Sequence, residues 1–202
     1  MMTGNSSVEM DRLTAEEKTT LLGLARTTIE LAVNEQPGLE LDLESYPARL
    51  QRQGASFVTL TNAGELRGCI GALEAYQPLV QDVCEHAAAA AQEDYRFPPV
   101  QPDEVAELNI EISHLTQPES LEYATPDELV SKLRPGVDGV ILRDGMHRAT
   151  FLPQVWEKLP EPEEFLAHLC MKMGAPANYW RRKKLVVQIY QVEEFSEGKP
   201  QE

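Results

Sequence analysis

The sequence predicts a fold that mixes helices with antiparallel hairpins, in one sizeable domain or two small lobes sharing a core. Three observations point there. Two hairpin patterns recur, each followed by a helix that opens on proline. Two capping boxes start further helices. Residues 108–115 alternate as a strand does. With 202 residues and 42% hydrophobic content, the chain is long enough to bury a core.

Taken in order, residues 1–13 are expected as a loose tail. Thr14-Ala15-Glu16-Glu17 is a capping box, in which threonine oxygen and glutamate each satisfy a free amide of the first turn. Its helix should run to about Asn34, with Leu21, Leu22, Ala25, Ile29, Ala32 and Val33 as the apolar stripe and Pro37-Gly38 as the stop. Pro47 should start a short turn anchored by Leu50. Residues 55–61 are rich in strand formers, and Asn62-Ala63-Gly64 turns the chain into Leu66-Arg67-Gly68-Cys69-Ile70-Gly71. Gln77-Pro78 is read as opening the next helix, with proline at its first position, Cys84 in its apolar face and His86 partly exposed. Residues 94–99 (Asp-Tyr-Arg-Phe-Pro-Pro) break that helix.

In the strand at 108–115, Leu108, Ile110, Ile112 and His114 share one face. Thr125-Pro126-Asp127-Glu128 opens a short helix that Pro135-Gly136 stops. Residues 140–143 and 147–152 flank an Asp144-Gly145 turn. Pro153 and Pro162 open two helices, the second carrying Phe165, Leu166, Leu169, Cys170 and Met173 and stopped by Gly174. Arg181-Arg182-Lys183-Lys184 is read as a solvated run, residues 185–192 as the last strand, and 196–202 as tail.

The net charge of −15, from 33 acidic and 18 basic residues, opposes binding to nucleic acid or an anionic membrane. No apolar run is long enough to span a bilayer, and the first residues lack a signal-peptide pattern. Three separated cysteines, at 69, 84 and 170, argue against a disulfide framework or a cysteine-based zinc site. A cytoplasmic protein follows as the expectation.

The stretch at 66–71 gathers an arginine, two glycines and a cysteine. As a regular strand it places Arg67, Cys69 and Gly71 on one face and Leu66, Gly68 and Ile70 on the other. A guanidinium beside a thiol favours the thiolate, and glycine in a strand marks close approach to the backbone. The structural alternative is a tight hairpin with a small buried cysteine. A faint repeat overlays Gly64 on Gly145, with Arg67 falling on Arg148 and Cys69 on Thr150, which suggests two similar halves with a cleft at their junction.

The stretch Leu-Arg-Gly-Cys-Ile-Gly resembles the signature of the AMMECR family, protein A of the AmmeMemoRadiSam set. Supporting segments are Phe57-Val58-Thr59-Leu60, Asp94-Tyr95-Arg96-Phe97-Pro98, Ile110-Glu111-Ile112-Ser113, Gly136-Val137-Asp138-Gly139-Val140 and Phe151-Leu152-Pro153-Gln154-Val155. The chain departs from the pattern at His114, where an aliphatic residue is expected, and at His147 with Ala149. The resemblance implies an α+β fold, a single domain over residues 14–195 with two unequal lobes around a mixed sheet, and the signature lining a cleft. It also implies a Memo-type protein and a radical SAM enzyme as companions, and no established reaction.

Two chemistries fit these residues. A binding module would hold a small anionic ligand or a partner peptide through Arg67, Arg96 and Arg148, with Gly68, Gly71 and Asp94 beside it. An enzyme would use Cys69 as nucleophile or acceptor, Arg67 to favour its thiolate, and Glu111, His114 or His147 to move protons. The histidines at 86, 114, 147 and 168 form no short paired motif, so neither a metal nor another cofactor is assigned.

Overall fold

The structure, a computed structural model, describes residues 12–198. Of the tails expected at 1–13 and 196–202, residues 1–11 and 199–202 lie outside the described residues, whereas Leu13 is buried and Ser196 ends a strand. Two compact units make up the chain, one of residues up to 116 together with those from 193, the other of residues 117–192.

The first unit begins with α1 (Ala15–Val33), followed by β1 (Gln53–Asn62), β2 (Glu65–Gly71), β3 (Gln77–Pro78), α2 (Leu79–Gln92) and β4 (Leu108–Leu115). The second holds β5 (Glu119–Ser120), α3 (Pro126–Lys132), β6 (Gly139–Asp144) and β7 (His147–Phe151). It continues through α4 (Pro162–Lys172), α5 (Tyr179–Arg182) and β8 (Val186–Tyr190). The last strand, β9 (Val192–Ser196), returns to the first unit's sheet, whose order is β2-β1-β4-β9 with β3 paired to β1. The second sheet runs β5-β8-β6-β7. β1 is antiparallel to β2, β3 and β4, as β6 is to β7 and β8. The α+β class therefore holds, with the strands divided between two sheets.

Local chemistry accounts for the helix ends. Thr14 and Glu17 form the expected reciprocal cap, and α1 ends at Asn34, followed by Glu35 at a φ of 54°. Leu21, Ala25 and Ile29 of α1 and Val80, Val83 and Ala87 of α2 are buried in one core with Val58, Leu60, Leu108, Ile110 and Ile112 of the sheet. Pro78 does not open α2 from inside. It closes β3 opposite Gln53 in extended backbone, where its missing N–H costs little, and the helix starts one residue later. His86 is not partly exposed but buried, with Nδ1 3.2 Å from Oδ2 of the fully buried Asp82, which also accepts the Ser56 hydroxyl at 2.6 Å.

In the second unit, Trp156 stacks on Phe165 at 3.7 Å between ring centres and donates its indole N–H to the Asp138 carbonyl. All four residues of the basic run are exposed, and two of them pair at the surface, Arg181 with Glu163 and Lys183 with Asp144, each at 2.7 Å. The single last strand expected at 185–192 is two strands, β8 and β9.

Strand register corrects the hairpin overlay. Asn62 pairs with Glu65 and Asp144 with His147, so both turns hold two residues, and the second turn is Gly145-Met146. Thr150, opposite Ile141, does match Cys69, opposite Thr59. Arg148, opposite Arg143, matches Leu66 opposite Thr61. Arg67 is the extra residue of a β-bulge and has no counterpart in the second hairpin.

Candidate functional site

The bulge decides what surrounds Cys69. Leu60 pairs with Gly68 but Thr61 pairs with Leu66, which puts Leu66, rather than Arg67, on the face of Cys69. Val58 and Leu60 face the helices; Phe57, Thr59 and Thr61 line the opposite face. Cys69 lies there, half-buried, with Thr59 donating its hydroxyl to Sγ at 3.3 Å. Glu111 pairs with Thr59 from the other side, so Cys69, Thr59 and Glu111 form one row across three strands.

β2 is an edge strand, and its outward backbone groups need partners. At Cys69 they find two side chains. Asp94 Oδ2 accepts the Cys69 N–H at 2.8 Å, and Arg96 Nη2 donates to the Cys69 carbonyl at 3.1 Å. The two side chains grip each other, Nε to Oδ1 at 2.8 Å and Nη2 to Oδ2 at 2.6 Å. Together they take the place of a further strand. The Arg96 guanidinium, with the Cys69 and Arg96 amides, holds the buried Asp94 carboxyl well below the usual carboxylate range despite desolvation. Asp94 in turn raises the Arg96 guanidinium above its ordinary value.

Arg67 and the two glycines make their contacts with the scaffold. Arg67 gives Nε and Nη2 to the Glu104 carboxylate, both at 3.0 Å, and Nη1 to the Pro98 carbonyl at 2.9 Å. Its hydrogen bonds pin the loop after α2 instead of reaching the thiol. The backbone beside the two glycines is open to the protein rather than to a ligand. A Cβ on Gly68 would lie 2.1 Å from the Ala90 carbonyl of α2, and one on Gly71 would lie 2.4 Å from the Phe57 ring. Burial raises the Glu111 carboxyl, and the nearby Glu194 of β9 raises it further.

The model of the AMMECR1 family matches residues 22–195. A protein of Methanothermobacter thermautotrophicus is 40% identical over 92% of this chain and 96% of its own length. One of Methanocaldococcus jannaschii is 37% identical over 95% of each. The chain belongs to the AMMECR1 family. The crystal structure of an uncharacterized protein from Pyrococcus horikoshii has the same fold, with a TM-score of 0.72, 34% identity, and 93% of this chain and 95% of that one covered.

In this AMMECR1-family chain, Cys69, Arg67, Gly68, Gly71, Asp94, Arg96 and Glu111 all belong to the first unit, whereas Arg148 lies on β7 in the second. The histidines are scattered: His86 and His114 are buried under the helices, and His147 and His168 are exposed. Among the described residues no three His, Cys, Asp or Glu side chains are grouped to hold a metal ion. Cys84 and Cys170 are buried, and desolvation pushes both thiols up. No helix among the described residues is long and apolar enough to cross a membrane. Sequence reading missed Thr59 and Glu104. The hairpin turn points to Thr59, since it sets which residue lies opposite Cys69 once the bulge is counted. No local signal marks Glu104.

Proposed function

We propose that Cys69 is the working thiol of this chain, a nucleophile or acceptor in a cytoplasmic pathway shared with a Memo-type protein and a radical SAM enzyme. One arrangement carries this reading. Both backbone groups of Cys69 are held by the Asp94–Arg96 pair, while its Sγ takes the Thr59 hydroxyl on the face turned away from α1 and α2. The backbone that carries the sulfur is held from both sides, and a hydroxyl donor stands at the atom where a new bond would form. In the covalent step the thiol releases its proton to water. Sγ then bonds to an electrophilic carbon, and the leaving group departs with the bonding pair. Arg96 takes the supporting role first expected of Arg67, which becomes a positioning residue. Glu111 stands in the same row as a group to exchange a proton on the bound molecule.

The binding reading, with a small anionic ligand or peptide and no covalent step, rests on Arg96. Its Nη1 makes no hydrogen bond among the described residues, so an anion can still reach that edge.

Alkylation by iodoacetamide, followed by peptide mapping, separates the two. Cys69 should react much faster than Cys84 and Cys170. Thr59→Val should slow it several-fold at neutral pH while leaving thermal stability nearly unchanged, because the thiolate loses a hydrogen bond. A Thr59→Val rate equal to wild type would make Cys69 structural and leave anion binding at Arg96.

A further inference from the structure

The face around Cys69 carries opposite charges at its two ends. At the β2 edge, the Arg96 side chain is 43% exposed, and its Nη1 makes no hydrogen bond among the described residues. Two strands away, Glu111 of β4 has Glu194 of β9 beside it, and Glu194 is exposed. Strands in a sheet lie about 4.8 Å apart, so Glu111 stands roughly 10 Å from Cys69 and, with Arg96 seated one strand position outside β2, roughly 14 Å from Arg96. Between them lie the thiol and Thr59. Leu66 is 42% exposed on the same face, and Tyr95 of the loop beside Arg96 is 94% exposed.

A ligand made only of negative groups fits one end and is repelled by the other. A polyphosphate is therefore a poor match, and so is a cation alone. An extended peptide spans about 3.4 Å per residue, so the termini of a tetrapeptide stand roughly 14 Å apart with opposite charges. We propose that the molecule presented to Cys69 is a zwitterion of short-peptide type, its carboxylate on the open edge of Arg96 and its ammonium against Glu111 and Glu194. The proposal rests on the reading of Cys69 as the working thiol. The ammonium lies between two carboxylates that otherwise repel each other, and the middle side chains meet Leu66 and Tyr95. Burial and Glu194 raise the Glu111 carboxyl, and an arriving ammonium favours its ionised form.

Titration calorimetry tests this with Gly-Leu-Leu-Gly, its N-acetyl form and its C-terminal amide, on the full chain and on Cys69→Ser. The free peptide should bind both proteins, and each blocked form should bind about tenfold more weakly, the loss of one charged hydrogen bond. Glu111→Gln should erase the preference for the free N-terminus. Equal affinity for the three peptides, or no binding to either protein, overturns the proposal. Because Cys69→Ser has no thiol, the two readings fail separately. Peptide binding without selective alkylation of Cys69 would uphold the ligand class and sink the thiol. Selective alkylation without peptide binding would do the reverse.

Discussion

Gly68 is where the candidate site meets the core. Its missing side chain lets the Ala90 carbonyl of α2 approach β2, and that approach sets the start of the loop carrying Asp94 and Arg96. A Cβ there would meet backbone, which cannot swing aside as a flexible side chain can. Gly68→Ala is therefore expected to destabilise the protein by about 1–3 kcal/mol, as overpacking does, with the urea midpoint as the measure. The same substitution should loosen the Cys69 clamp and speed hydrogen exchange at the Cys69 amide. An unchanged midpoint would mean that α2 shifts freely against the sheet. At this scale, the need for glycine was legible in the sequence. What fills the space was not, because Ala90 lies 22 positions later (90 − 68) and is placed by helix packing.

The β1–β2 hairpin shows how an element redirects its residues. Its turn places Ala63 and Gly64 at φ of 48° and 82°, the left-handed pair of a type I′ turn. Alanine in that region carries a steric cost that glycine does not. Ala63→Gly should then raise stability by about 0.5–1 kcal/mol, less whatever glycine adds to the entropy of the unfolded chain. A fall in the urea midpoint on Ala63→Gly would show that the unfolded-state term wins. Beyond the turn, one extra residue takes Arg67 out of the alternation and brings Leu66 to the face of Cys69. Alternation alone cannot reveal a bulge, since it depends on cross-strand bonds between β1 and β2.

At the scale of the whole molecule, the chain closes its first unit with its last strand. Glu193 of β9 accepts the Leu13 amide at 3.0 Å and meets Lys18 at 2.6 Å, with His114 Nδ1 3.9 Å away. Burial opposes ionisation of Glu193, but His114, Lys18 and the Leu13 amide outweigh it and bring its carboxyl down to about 2. An unfolded glutamate titrates near 4.3, so the folded state holds this proton more weakly. Its stabilisation is fully present above about pH 4.3 and is lost as the pH falls through about 2. The effect is on the order of 2 kcal/mol after solvent screening. Glu193→Gln should flatten this part of the acid limb in a pH series of denaturation midpoints. Asp94, Glu104 and Asp144, also held low, should keep a remaining slope. An acid limb identical to wild type would mean that Glu193 adds nothing to the closure.

By itself the sequence determined the elements whose causes are local. The capping box at Thr14, the strand at 108–115, the stop at Gly174 and the two hairpins need only neighbouring residues to form. It also marked the Cys69 stretch, because that residue combination is informative without knowledge of the fold. Tertiary structure alone decided which guanidinium serves Cys69, that Arg67 belongs to Glu104, and that β9 leaves its neighbours to complete another sheet. Each of these depends on groups distant in the chain, brought together by register, a bulge and helix packing. No short window of residues contains those partners.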